Sequence, residues 1–128
     1  MTPDEELDVA RVWLRYATDG RAEDFWAWDR LATLVVDQPE QAWPILLRII
    51  ADAPEDQLGN VGAGPLENLL SEHATALGER VEEQARRSSR FRSALSSVWL
   101  SHGEVPPPLQ ERLQHLTGGR IRIPGSQP

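Results

Sequence analysis

An all-α fold is what the sequence predicts, as a compact bundle of six to seven short helices. Three observations carry that reading. Apolar residues recur at spacings of three and four in segment after segment, the mark of helices with one buried side. Helix start signals, a small polar residue followed by proline and a carboxylate, occur repeatedly. Nothing reads as a strand except residues 120–123, a stretch too short to stand as one.

Thr2, Pro3 and Glu5 open the first helix. Thr2 caps it, Pro3 fits the first turn, and Glu5 completes a capping box. Asp19 and Gly20 end it. Leu7, Ala10, Trp13 or Leu14, and Ala17 form its buried side, widened by Val9, Val12 and Tyr16. A second helix covers residues 22–36, with Phe25, Trp28, Leu31, Ala32 and Val35 facing the core and Trp26 to the side, next to Asp29 and Arg30. Asp37-Gln38-Pro39-Glu40 and Asp52-Ala53-Pro54-Glu55 then repeat one signal, a capping Asp with an early proline. The short helix between them carries Ala42, Trp43, Leu46, Leu47, Ile49 and Ile50. Pro44 crowds the carbonyl of Glu40, so a bend or a first turn that is not α is expected.

The centre of the chain, residues 58–77, combines three glycines, a proline and a leucine ladder. Gly59, Gly62 and Gly64 each weaken a helix interior by about 1 kcal/mol relative to alanine, which favours two helices over one kinked helix. Gly64 caps the second, Pro65 takes its first turn, and Leu66, Leu69, Leu70, His73 and Leu77 form its stripe up to a stop at Gly78. A phosphate-binding loop does not fit. No β-branched strand precedes the glycines, and neither G-x-G-x-x-G nor a following Lys with Ser/Thr is present. Close packing of helices is the reading that remains.

A charged helix over residues 79–87 and another from Ser88 or Ser89 to a stop at His102-Gly103 come next. Val105-Pro106-Pro107-Pro108 is an extended spacer. Leu109, Leu113 and Leu116 mark a last helix that ends at Gly118-Gly119. Residues 1–119 form one domain, and residues 120–128 form a flexible tail. Segments starting at Leu31 and Leu66 share an order of apolar helix, break, second helix. Stacked helical hairpins, a very short α-solenoid, are the variant this implies, with an irregular bundle as the other.

The net charge is −7, and it is uneven. Residues 1–64 hold 5 Arg against 13 Asp and Glu, whereas residues 65–128 hold 8 against 7. An acidic surface repels nucleic acid and suits a basic protein partner. The absence of cysteine excludes disulfides and thiolate metal sites. No apolar run is long enough to cross a membrane, and the acidic start MTPDEELD is neither a signal nor a transit peptide, so cytoplasm is the expected location.

D-Q-P-E-Q-A-W at 37–43, A-G-P-L-E-N-L-L at 63–70 and F-R-S-A-L-S-S-V-W at 91–99 together resemble a family of small bacterial domains of unknown function. The resemblance covers roughly residues 25 to 100, with A-G-P-L-E-x-L-L its most specific element. It implies a compact helical fold and brings no catalytic, cofactor or ligand residues with it.

No catalytic constellation stands out. His73, His102 and His115 are isolated, with no H-x-x-x-H or H-E-x-x-H spacing, and neither a metal nor another cofactor is expected. His73 is a base, a pH switch, or a partly buried histidine on the leucine stripe. Glu67 could turn into the Gly59 to Gly64 bend and receive its N–H groups, so Glu67 and His73 are the candidates for a small-ligand or enzyme pocket there. Trp28, Trp43 and Trp99 fall on apolar stripes and are expected in the core, while Trp13 and Trp26 are candidates for a surface anchor. Arg86, Arg87, Arg90 and Arg92 form the one basic patch, and Glu82–Arg86 is a stabilising helix pair. The function expected is a small protein-interaction module with a basic partner or a second copy of itself. An immunity-type protein covering a basic toxin is one alternative, and the ligand pocket is another.

Overall fold

The computed structural model describes residues 1–101 and 103–122. The capping box forms as its sequence requires. Thr2 Oγ1 accepts the Glu5 N–H, and the Glu5 carboxylate accepts the Thr2 N–H, both at 3.1 Å. It starts α1 (Pro3–Asp19), and Gly20, left-handed at φ 66°, stops it.

One 3-10 turn, Ala22–Asp24, leads into α2 (Phe25–Asp37), and Gln38 alone separates α2 from α3 (Pro39–Asp52). Neither Asp37 nor Asp52 caps a helix. Each is the last residue of one, and Asp52 pairs with Arg48 at 2.8 Å. Proline moves the break: the residue before it is driven out of the α region, and Gln38 sits at φ −142°, ψ 68°. α3 is helical through Pro44. Val9, Ala10, Val12 and Trp13 of α1 share one core with Ala27, Leu31, Leu34 and Val35 of α2 and with Ile45, Leu46 and Ile49 of α3. Leu7, expected on the buried side, is exposed.

The glycines at the centre do not break the chain into two helices. α4 (Leu58–Val61) passes through a π turn, Gly62–Leu66, straight into α5 (Glu67–Arg87). The Glu67 N–H donates to Gly62 O, five residues back, so the hydrogen-bond ladder steps over Pro65, which has no N–H to give. Gly62 has ordinary helical angles, φ −65°, ψ −50°. What it lacks is bulk: a Cβ there would lie 1.7 Å from Ala94 O of α6 (Ser89–Leu95). Close packing of helices is thus what Gly62 supplies.

Gly78 is not a stop either. α5 runs through it, and a Cβ there would meet Leu109 Cδ2 of α7 (Pro107–Thr117) at 2.4 Å. The irregularity falls at His73, at φ −136°, ψ 29°. The second copy of the hairpin signal is thus one long helix kinked at His73, with no turn at Gly78, and the architecture is a bundle. In it α5 packs against α2, α6 and α7, beside the trio α1, α2 and α3.

α6 ends at Leu95, well before the expected stop; His102 itself lies outside the described residues. Val98 and Leu100 are buried while Trp99 between them is 51% exposed, an in-and-out alternation that only extended backbone gives. Leu100 N–H donates to Arg122 O at 2.7 Å, and Arg122 N–H donates to Val98 O at 3.0 Å. Ile121 is buried beside this pairing. Ile121 and Arg122 thus pack onto the segment after α6, and residues 123–128 lie outside the described residues.

Candidate functional site

The stretch FWAW at 25–28 begins where α2 begins. Its position is set by Asp24, which is 2% exposed. Arg15 of α1 donates Nε and Nη2 to the two Asp24 oxygens, both at 2.7 Å. This two-pronged bond is the geometry a guanidinium and a carboxylate favour, and it holds the Asp24 carboxyl below the usual carboxylate range. With the turn pinned to α1, the rotation of α2 is fixed. Ala27, Leu31, Leu34 and Val35 point inward, and Phe25, Trp26, Trp28 and Val36 are left outside, each 43–48% exposed.

Phe25 and Trp28 were expected in the core and are instead the centre of an exposed aromatic face. Their rings stack at 5.4 Å, and Tyr16 of α1 meets Phe25 edge-on at 5.6 Å. Trp28 also closes a cavity of about 30 Å³ with Trp13, Leu31 and Pro65, room for a single water and no more. Trp26 is exposed on the adjoining side. Trp13, expected as a surface anchor, is buried at 4% in the α1 core. Trp43 is partly buried and packs edge-on against Phe91, ring centres 6.0 Å apart. Trp99, expected inside, lies under the Arg122 guanidinium at 5.7 Å.

The basic patch disperses. Arg90 donates Nε to Ile50 O at 3.0 Å and Nη2 to Ala53 O, closing the C-terminal end of α3. Arg92 donates to Ala85 O at 2.8 Å and closes the end of α5 in the same way. Arg86 pairs with Glu82, and Arg87 remains exposed beside Glu83. Glu82 was expected on the surface but is 5% exposed, because Arg112 of α7 also reaches it, Nε to Oε1 at 2.9 Å. These groups line an open groove of about 540 Å³ between α5 and α7, together with Glu111, His115 and Leu116. Both Glu82 oxygens are occupied by guanidinium donors, so this carboxylate is a strut between helices.

At the Gly-rich elbow Glu67 and His73 bond to different neighbours. Glu67 accepts the backbone N–H of Trp99 at 2.6 Å, 32 residues further on, and none from the glycines. His73 Nε2 lies 3.0 Å from Val36 O, on a different neighbour. Among the described residues no group of three His, Cys, Asp or Glu side chains is placed to hold a metal ion. Among the described residues no helix is long and apolar enough to cross a membrane.

Fold and surface together define a small all-α domain whose most distinctive exposed feature is the aromatic face on α2. The chain belongs to a family of unknown function (DUF6869), whose model matches residues 15–121. The match reaches beyond the 25–100 span of the sequence motifs and takes in the C-terminal end of α1 and all of α7. No curated protein and no solved structure matches the chain.

Proposed function

We propose that this chain is a protein-interaction module and that the outer face of α2 is its binding surface. The exposure of Phe25, Trp26, Trp28 and Val36 along one helix carries this reading. Large rings are costly to leave in water, and an exposed aromatic cluster on a well-packed domain marks a surface that is covered when the protein works. Tryptophan is the side chain that most often anchors such contacts. The Arg15–Asp24 pair holds these rings in place before a partner arrives, which lowers the entropy cost of docking. The acidic N-terminal half favours a basic partner, of which a toxin covered by an immunity-type protein is one form.

The test is affinity capture from native lysate with the wild-type chain and with a Trp26→Ala/Trp28→Ala double variant whose helical circular dichroism is unchanged. A protein retained by the first and lost by the second supports the reading. Recovery of nothing specific, or of the same proteins by both, overturns it.

A further inference from the structure

We infer that the partner presents an arginine, carried on a basic surface, that seats on Asp29 between Phe25 and Trp26. This rests on the interaction reading above and names what the surface selects. Asp29 follows Phe25 by four residues and Trp26 by three, so on a helix it lies between the two rings on the outer side. It is exposed, and its carboxylate has no ion-pair partner among the described residues. Asp19, Glu23 and Asp37 on the same segment are also unpaired among the described residues, and what sets Asp29 apart is its place between two exposed rings. The neighbouring Thr33 hydroxyl donates to the Asp29 carbonyl and leaves the carboxylate free.

A carboxylate flanked by two half-exposed rings offers a guanidinium both things it binds. The two oxygens match its forked donors, and aromatic side chains beside a carboxylate suit a guanidinium. An apolar partner would strand Asp29 unpaired as the rings dehydrate, which is costly. A second copy of this chain fits poorly, because the surface of residues 19–37 carries Asp19, Glu23, Asp29 and Asp37 against only Arg21 and Arg30. Like would meet like across the joint.

Calorimetric titration of the full chain tests this with three synthetic helical peptides that share one leucine stripe. Their flanking positions carry arginine, glutamine or glutamate. The arginine peptide binds about tenfold tighter than the glutamine peptide, and the glutamate peptide binds most weakly. Asp29→Asn removes most of the arginine preference and leaves glutamine-peptide binding unchanged. Asp56→Asn, the same charge change on the turn between α3 and α4, preserves the preference. The inference is overturned if the arginine peptide does not bind, if it binds no tighter than the glutamine peptide, or if the two Asn variants lose equally. Glutamine-peptide binding that Trp26→Ala/Trp28→Ala abolishes would in that case keep the aromatic face as a docking surface while removing its preference for arginine.

Discussion

Replacing Gly62 with alanine tests the packing argument at its tightest point. The backbone there is already helical, so alanine adopts it without strain and would gain about 1 kcal/mol in helix propensity. Against that stands the approach of 1.7 Å from the new Cβ to Ala94 O. Ordinary contact begins near 3.4 Å, so α6 would have to retreat by about 1.7 Å, the difference of the two. The obstacle is a main-chain carbonyl, which cannot swing away as a side chain can. Retreat of α6 would also draw the fully buried Phe91 and Leu95 out of contact with α5. Overpacking of this kind costs about 1–3 kcal/mol and sometimes more. With the propensity gain subtracted, and with a main-chain carbonyl as the obstacle placing the cost at the upper end, Gly62→Ala is expected to lose up to about 2 kcal/mol, roughly 8 °C in melting temperature for a chain of this size. Gly64→Ala is the internal control. Nothing lies within 4 Å of its Cβ position and its φ is not positive, so alanine there is expected to stabilise by about 0.4–1 kcal/mol. Thermal and urea melts followed by circular dichroism at 222 nm read both variants. A Gly62→Ala protein as stable as wild type, or two variants that shift together, would refute the assignment of Gly62 to close packing.

Three further outcomes follow from the same contacts. Gly78→Ala meets the flexible tip of Leu109, not backbone, and with the same propensity gain subtracted it is expected to cost about 0–1 kcal/mol, less than Gly62→Ala, in the same melts. Arg90→Met keeps the aliphatic stem but bares the carbonyls of Ile50 and Ala53; a loss of about 1.5–3 kcal/mol in urea denaturation is expected, with only partial rescue by lysine, whose ammonium lacks the spaced donors of Nε and Nη2. The Asp24 carboxyl titrates lower in the folded chain than its unfolded value near 3.9, so the stability it contributes is complete above that pH and disappears as the pH falls through it and below. Asp24→Asn should narrow the gap between melting temperatures at about pH 6 and pH 3, and a gap as wide as that of wild type would show that Arg15–Asp24 is not a source of acid sensitivity.

Local signals were readable in the chain, and those that depend on spatial neighbours were not. The Thr2–Glu5 box and the Gly20 stop involve residues within one turn, so sequence spacing places them correctly. Helical periodicity likewise finds Leu31 and Val35 of α2 and most of the inward row of α3, while Ala27, Leu34 and Ile45 escape it. It cannot say how wide a row the neighbouring helices will cover, which is why Phe25 and Trp28 read as core and lie outside. The bonded pair Arg15 and Asp24, nine residues apart, sets that outcome, and nothing in the spacing announces it. Glycine is ambiguous for the same reason. Gly62 and Gly78 read as breaks, yet each is small because something stands opposite, Ala94 in one case and Leu109 in the other. The arginine cluster at 86–92 read as a patch because its carbonyl partners on α3 belong to another part of the chain.

The reach of Arg90 has a consequence for how the molecule assembles. Its guanidinium joins carbonyls 37 and 40 residues earlier, so the last turn of α3 has only water to serve it until α6 arrives. The first three helices can collapse together early, but their far corner stays frayed until much later chain is in place. Amides near the end of α3 should therefore exchange with solvent in step with those of α6, although the two segments are far apart along the chain. One side chain thereby makes the melting of one half contingent on the other.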